Sequence, residues 1–317
     1  MDSVIISRWL NVRRYLATSM TPEQYKIMTL TTRKTPLVSS LAVAVAISLA
    51  TAITSATAAP TTGLDIRPVG YNIVDGHQDL DNPITNTDIT ADTGTTITEA
   101  SNGSYRTPRK VIDDDDRQQV EETRTSPYRR VGQLTFQTGT DSYICTGWLI
   151  SPDTVATAGH CLADNSSNIT FSPGRNGSVN PFGTQNATQV WYDQDFGQEG
   201  RDWGAIKLDK PVGDNVGWFG ITSTDGEDLI GDDARIIGYP GDKPSGTLWQ
   251  HTGEVTASDA RRVTYNTDTF GGQSGSAVTD DTGDIAYGIH VAGTPEKNWA
   301  TRITGELFNT LVNITRQ

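Results

Sequence analysis

A chain of 317 residues is long enough for one large domain or two small ones, each with a proper core. Its formal net charge of -13 argues against a nucleic-acid partner, because such a partner requires a basic face on the protein. Aspartate is abundant and lysine is scarce, which favours a well-solvated surface but leaves the function open.

The N-terminal part of the chain has the layout of a secretory signal peptide. Residues 37–53 form the only long apolar run, Arg33 and Lys34 precede it, and the small residues 56–58 that follow suit an export peptidase. We therefore expect residues 1–58 to be an N-terminal extension with a signal peptide, and the protein to be secreted and extracellular. A membrane anchor is the alternative, although the run is short and rich in small residues.

Residues 59–110 differ in composition from the rest of the chain. They are polar, rich in threonine and aspartate, and poor in aromatic residues, so this segment cannot bury enough apolar surface to fold well by itself. One interpretation is a linker, and the other is a removable pro-segment. The segment ends in a basic cluster, and cleavage between Lys110 and Val111 would leave residues 111–317, a comfortable size for one domain.

After Val111 the sequence predicts an all-β domain with one C-terminal helix. Apolar runs of four to seven residues, separated by turns that contain glycine or proline, are typical of strands. The predicted strands are 133–137, 143–150, 154–157, 188–192, 203–208, 234–239, 248–257, 262–265, 277–279, 285–292 and 300–303. Only residues 305–314 have helical spacing. Two halves of similar size, divided near 215–220, suggest two packed β-barrels with a site between them.

The candidate nucleophile is Ser274, in the stretch Gly271-Gly272-Gln273-Ser274-Gly275. Glycine permits backbone conformations that other residues avoid, so the N–H groups of Gly272 and Ser274 can point at one oxyanion. A serine hydroxyl also needs a base to take its proton. Because glycine–serine turns are common in all-β proteins, this stretch alone is weak support for catalysis.

His160 is the best candidate for that base. His77 lies in the predicted pro-segment and His251 in a strand-like run, whereas His160 ends a β-run in a turn of small residues beside Cys161. A general base needs such fixing. The carboxylate that orients the imidazole is predicted to be Asp202, because it directly precedes an apolar strand that would draw it inward. Asp193 and Asp195 are the alternatives, as solvated turn acids.

Cys145 and Cys161 are the only two cysteines. A disulfide between them would close a loop of about 15 residues and stabilise the fold by about 3 kcal/mol. They could instead be free core residues. The predicted export favours the disulfide, because oxidising compartments preserve such bonds.

His160, Asp202 and Ser274 occur in the order His, Asp, Ser, and together they resemble the chymotrypsin-like serine endopeptidases. The chain is more closely similar to the secreted bacterial glutamyl endopeptidases. The similarity covers residues 111–317. Its motifs are Val111-Ile112, Asp116-Arg117, Cys145-Thr146-Gly147-Trp148, Ser172-Pro173-Gly174-Arg175-Asn176-Gly177, Gly238-Tyr239-Pro240-Gly241-Asp242-Lys243 and Gly288-Ile289-His290.

This resemblance implies two perpendicular six-stranded β-barrels with the triad in the cleft. It also implies that Ser274 attacks a peptide carbonyl, with His160 as base and Asp202 as its orienter, through an acyl-enzyme. The substrates would be proteins or peptides. No cofactor is expected, because this mechanism needs none. No metal is expected either, because the aspartates at 113–116 are more simply a solvated acidic segment than a calcium site.

The specificity pocket has two interpretations. Asp268 lies at the spacing from Ser274 at which the trypsins carry their pocket-floor aspartate, which predicts cleavage after Arg or Lys. Against this, His290 and Thr269 match the histidine and threonine that the glutamyl endopeptidases place at their pocket, and a donor there suits an anionic side chain. In some of that family the freed α-amine also binds the glutamate, and Val111 occupies the matching place. We therefore expect preference for Glu, with less cleavage after Asp.

A non-enzymatic function stays open, because secreted chymotrypsin-like proteins can lose catalysis and act as peptide-binding proteins. The intact triad positions argue against it. The junction offers Lys110 rather than Glu, so a separate activating protease is expected to cleave at Lys110–Val111. We expect the processed protein to be a monomer.

Overall fold

The computed structural model describes residues 66–84, 111–112, 114–225, 227–280 and 282–317. The predicted signal peptide lies outside the described residues, and so does Lys110. In the described residues, no helix is long and apolar enough to cross a membrane.

Strands dominate the described part of the chain. They are β1 Pro68–Val74, β2 His77–Gln78, β3 Gln118–Val120, β4 Val131–Thr138, β5 Asp141–Leu149, β6 Thr154–Thr157, β7 Ser167–Pro173, β8 Gln185–Asp193, β9 Gly204–Leu208, β10 Gly220–Ile221, β11 Asp233–Gly238, β12 Leu248–Ser258, β13 Arg262–Tyr265, β14 Ala277–Thr279, β15 Ile285–Gly293 and β16 Asn298–Arg302. Two α-helices are present there, α1 Gly213–Val216 and α2 Gly305–Thr315. Short 3-10 turns span Tyr128–Arg130 and Gly159–Cys161.

Twelve of these strands form two closed antiparallel barrels of six strands each, as the sequence predicted. The first barrel has the order β7-β4-β5-β6-β9-β8 and closes through the pairing of β8 with β7. The second has the order β11-β12-β13-β16-β15-β14 and closes through β14 with β11. Helix α2 follows the last strand and is capped at its N-terminus by Thr304, whose side-chain oxygen accepts a hydrogen bond from Leu307 N.

The barrel cores are built from alternating side chains of these strands, with large aromatic residues at their centres. Trp148, Trp191 and Trp203 are fully buried in the first barrel. Trp148 Nε1 donates a hydrogen bond to Gly275 O of the second half of the chain, 3.0 Å away. The core of the first barrel therefore reaches the turn that carries the candidate nucleophile.

Residues 66–84, within the predicted pro-segment, pack against the first barrel. Strand β1 pairs antiparallel with β8, from Pro68 opposite Asp193 to Asn72 opposite Gln189. The segment thus takes its strand pairing from the first barrel.

The predicted strands agree with the observed ones to within a few residues, but the first-barrel strand β7 was missed. Its sequence is mostly polar, and only Ile169 and Phe171 provide the alternating buried apolar positions. A two-residue pattern of this kind is too short to distinguish a strand from a loop without its neighbours.

Candidate active site

Ser274 lies in a tight turn just before β14, and the turn requires its glycines. Gly272 and Gly275 have φ angles of 101° and 90°. A Cβ atom at Gly272 would lie 2.5 Å from Tyr239 O, and one at Gly275 would overlap Thr146 O. Side chains at either position would therefore force this turn to open.

The first barrel fixes the position of this turn. Thr146 on β5 donates from its backbone N to Ser274 O at 2.9 Å and from its hydroxyl to Gly272 O at 2.9 Å. With the hydrogen bond from the Trp148 indole to Gly275 O, three carbonyl oxygens of the turn are bonded to the first barrel. The candidate nucleophile is therefore placed by contacts between the two barrels.

The two predicted oxyanion donors lie in this turn. In the part of the chain that the structure describes, the N–H groups of Gly272 and Ser274 donate to no backbone acceptor. The carbonyls of the same turn are used by Thr146 and Trp148. The turn thus bonds these carbonyl oxygens within the protein, and the two N–H groups stay the predicted oxyanion donors.

His160 and Asp202 meet because of the strand order of the first barrel. His160 follows β6 and Asp202 precedes β9, and these strands pair antiparallel with Thr157 opposite Gly204. The Asp202 carboxylate accepts from His160 N at 2.9 Å and from His160 Nδ1 at 2.7 Å. A carboxylate only accepts, so Nδ1 carries the proton and Nε2 is left as the basic nitrogen.

The second barrel also supports the acid. The Thr301 hydroxyl on β16 donates to Asp202 O at 3.0 Å. The two alternative acids have other partners, because Asp193 and Asp195 both accept hydrogen bonds from Arg201. Asp193 is fully buried rather than solvated as expected.

His160, Gly272 and Ser274 line one cleft of about 350 Å³. A second cavity of about 640 Å³ is also lined by His160, together with Asp202 and Trp299. The structure thus brings together all three residues predicted for the triad at the boundary of the two barrels.

The predicted disulfide is present. The sulfur atoms of Cys145 and Cys161 are 2.01 Å apart, and no free cysteine remains. The bond joins β5, which fixes the serine turn, to the residue directly after His160. It therefore joins covalently the segments that position the candidate base and the candidate nucleophile.

His290 lies on β15, next to the serine turn. Its backbone N donates to Ser276 O at 2.8 Å, and its carbonyl accepts from Gly275 N at 2.7 Å. The ring is fully buried, and its Nδ1 is 2.6 Å from the hydroxyl of Tyr265. Burial raises the pKa of Tyr265 well above its ordinary value, so this hydroxyl keeps its proton and can donate it to Nδ1.

Thr269 is also buried, but its hydroxyl has a partner within the protein. It donates to Asn298 Oδ1 at 2.7 Å, and Asn298 Nδ2 donates in turn to Thr267 O at 2.7 Å. Asn298 stands opposite Tyr265 in the pairing of β13 with β16. The side chains of Thr269 and His290 are thus each held by a residue of this strand pair.

Asp268 is buried and holds the start of the predicted mature chain. Its carboxylate accepts from the backbone N of Ile112 at 2.7 Å and of Asp116 at 3.2 Å. His251 Nδ1 lies 3.1 Å from the same carboxylate. Ile112 is therefore hydrogen-bonded to the residue directly before Thr269, and Val111 is its neighbour on the N-terminal side.

A second charged group fastens the same segment. Arg117 forms paired hydrogen bonds with Asp242 and with Asp115, and Lys243 Nζ lies 2.7 Å from Asp115. Burial by itself would raise the pKa of Asp115, but hydrogen bonds from Arg117 and Lys243 outweigh it and lower the pKa to about 2.

Among the residues that the structure describes, two groups of side chains have the chemistry of metal ligands. Cys145, His160 and Cys161 form the first, but their sulfur atoms are joined in the disulfide. The second is Asp116, His251 and Asp268, where Asp268 already accepts two backbone hydrogen bonds.

Sequence reasoning missed Tyr265 and Asn298, which orient His290 and Thr269. Both residues lie in ordinary strands, and nothing in their local sequence indicates a role at the pocket. The only available signal was the strand pairing, which places Tyr265 opposite Asn298 and His290 opposite Ala300.

Comparison with known proteins agrees with this geometry. Residues 119–305 match the family model described as Trypsin. The glutamyl endopeptidase of Bacillus licheniformis is 41% identical over 222 residues, which cover 65% of this chain and 69% of that protein. A Bacillus subtilis protein named extracellular metalloprotease is 38% identical over 216 residues, covering 64% of this chain and 69% of that one.

A solved structure extends the similarity to three dimensions. The structure of a Glu endopeptidase in complex with MPD has a TM-score of 0.58 and 32% identity, and covers 65% of this chain and all of that chain. Sequence and fold therefore agree, and the chain belongs to the trypsin family, as a serine endopeptidase with the chymotrypsin-like fold.

Proposed function

We propose that this protein is a secreted endopeptidase that cleaves peptide bonds preferentially after Glu, and less after Asp. The observation that carries the proposal is the arrangement around His290, whose ring is buried on the strand beside the nucleophile and held through Nδ1 by Tyr265. A histidine that accepts at Nδ1 carries a proton on Nε2. That tautomer donates to a carboxylate, which suits an acidic substrate side chain.

The alternative preference for Arg or Lys would need Asp268 as the anion that receives the cationic side chain. Asp268 is instead buried, and its carboxylate accepts hydrogen bonds from the backbone N–H groups of Ile112 and Asp116. A substrate cation would have to displace these hydrogen bonds. This arrangement favours the acidic specificity over the basic one.

The chemical steps follow from the triad. Ser274 attacks the scissile carbonyl while His160 Nε2 takes the hydroxyl proton, and Asp202 stabilises the imidazolium through Nδ1. The N–H groups of Gly272 and Ser274 stabilise the oxyanion. His160 then protonates the departing amine. Water attacks the resulting ester by the same sequence, which releases the acid and restores Ser274.

Processing forms part of the proposal. Cleavage between Lys110 and Val111 by a separate protease would free an α-amine one residue from Ile112, which Asp268 holds beside Thr269. We propose that this charged amine binds the substrate carboxylate together with the neutral His290 Nε2–H. If the purified, unprocessed wild-type protein cleaved itself at this bond, no separate protease would be needed, and this part of the proposal would be wrong.

The test is a map of cleavage sites. Full-length protein processed between Lys110 and Val111 is incubated with a denatured proteome, and the new termini are read by mass spectrometry. We expect termini after Glu to dominate, with some after Asp, and none above background from the Ser274→Ala protein. Predominant cleavage after Arg and Lys would refute the acidic specificity.

Two variants assign the specificity to the histidine. His290→Ala should lose most of the selectivity for Glu, while a serine-directed inhibitor still titrates Ser274. Tyr265→Phe keeps the His290 imidazole but removes the hydroxyl that binds it. This variant should therefore lower kcat/KM for Glu substrates by less than His290→Ala does. Unchanged selectivity in His290→Ala would remove this residue from the pocket.

A further inference from the structure

The strand pair that closes the first barrel is short. β7 and β8 pair only at Thr170 with Asn186 and at Phe171 with Gln185. Beyond these pairs the two strands separate, although β8 continues to Asp193. We call this opening between β7 and β8 the seam of the first barrel.

Residues 66–84 occupy the seam. Strand β1 takes five residue pairs along β8, on the edge opposite to its pairing with β9. On the other side of the seam, Asn168 N of β7 donates to Gly76 O at 2.7 Å. Without this segment, β8 would present a row of unpaired backbone groups at a barrel edge, which is unfavourable for a folded protein.

The segment also completes the core beneath the seam. Gly70 lies directly against the indole of Trp191, so that a Cβ atom there would be 2.5 Å from the ring. Trp191 is fully buried, and Ile66 and Val69 are buried beside the barrel. This close approach shows that β1 is fitted to this one place, because no residue larger than glycine could be accommodated opposite the ring.

Polar contacts anchor both ends of the segment. Arg67 N donates to the buried carboxylate of Asp193 at 3.1 Å, and Ile66 N donates to Glu306 Oε1 of helix α2 at 2.9 Å. Gln78 Nε2 donates to the carbonyls of Leu162 and Ser166, at 2.6 and 3.0 Å.

The Gln78 contacts lie on the loop that follows His160. Ala163 and Asp164 of this loop line the cleft that also contains His160 and Ser274. The segment therefore lies behind one wall of the cleft without entering it. Its position is that of a supporting strand rather than of an inhibitor bound to the site.

We propose that residues 66–84 remain bound to the mature enzyme after cleavage at Lys110–Val111, as a non-covalent strand that fills the seam. Cleavage breaks the chain well beyond Ile84, so it removes none of the contacts described above. Addition of a strand to an exposed sheet edge is an established way for one chain to bind another. The proposal depends on processing before Val111, but not on the preference for Glu.

The experiment uses the full chain with Ser274→Ala, so that self-digestion plays no part. The recognition sequence of a site-specific protease is inserted between Lys110 and Val111, and the cut protein is separated by size exclusion under native conditions. Mass spectrometry of the peak that contains residues 111–317 should find the fragment with residues 66–84 in equal amount. A wild-type fragment that elutes apart from the folded domain would overturn the proposal.

Two variants in β1 locate the binding surface. Gly70→Val places a branched side chain against Trp191 and should weaken retention of the fragment by about tenfold or more on dilution. Val74→Ala is the matched control, because Val74 is exposed in the same strand. Equal retention of the two variants would show that the seam is not the binding surface. Both outcomes are independent of peptidase activity, and so of the proposed specificity.

Discussion

Replacement of Asp268 by alanine distinguishes the two roles that the sequence allows for this residue. If Asp268 forms the floor of the pocket, the variant loses cleavage after Arg and Lys and keeps its stability. If it anchors the start of the mature chain, as the contacts with Ile112 and Asp116 indicate, the variant loses stability and binds Glu substrates less well.

The expected loss of stability follows from the two hydrogen bonds. A hydrogen bond to a charged group contributes about 1.5–3 kcal/mol. The bond from Ile112 N is short at 2.7 Å, and the bond from Asp116 N is longer at 3.2 Å. Water can replace part of this interaction in the variant, because Val111 and Ile112 are only half-buried. We therefore expect the free energy of unfolding to fall by about 2–3 kcal/mol.

Chemical denaturation of protein processed at Val111 measures this loss, and peptide substrates with Glu or Arg before the scissile bond measure the function. The KM for Glu substrates should rise with kcat nearly unchanged, because the variant loosens a binding element and leaves the triad intact. Asp116→Ala is the matched control, because it removes an exposed carboxylate but keeps the backbone N–H that Asp268 binds. Its stability should stay within about 0.5 kcal/mol of the wild type.

One result would refute this reasoning. It is an Asp268→Ala protein with wild-type stability that has lost cleavage after Arg, from a parent enzyme that cleaved there. Asp268 would then be the pocket floor.

Three further predictions concern Asp202, Asp115 and the disulfide. Asp202→Asn should lower kcat by about 10⁴-fold with little change in KM, because the amide no longer holds the His160 tautomer; a kcat within tenfold of the wild type would contradict this role. The folded-state pKa of Asp115 is lowered from 3.8 to about 2, so its stabilisation is present above about pH 4 and is lost as the pH falls towards 2. Asp115→Asn should therefore be less stable than the wild type at neutral pH and converge with it near pH 2 in pH-dependent denaturation. Reduction of the disulfide should lower the free energy of unfolding by about 3 kcal/mol, measured by denaturation with and without a reductant; equal midpoints would show that the bond adds no stability.

The family and the candidate triad could be predicted from the sequence because their signals are local. A nucleophile between glycines, a histidine beside a cysteine, and an aspartate before an apolar strand are each short patterns tied to one chemical need. The alternating apolar runs that predict the barrel strands are local as well, and among those strands only the polar β7 was not predicted.

Tertiary structure decided the roles that depend on partners distant in sequence. The same aspartate at 268 fits a pocket floor or an anchor, and only the hydrogen bond to Ile112, 156 residues away, distinguishes them. Tyr265 and His290 are likewise brought together by strand pairing. Residues 66–84 are the clearest case, because their composition predicts no fold of their own. They become ordered only because the unpaired edge of β8 and the face of Trp191 supply the hydrogen bonds and apolar surface that the segment lacks.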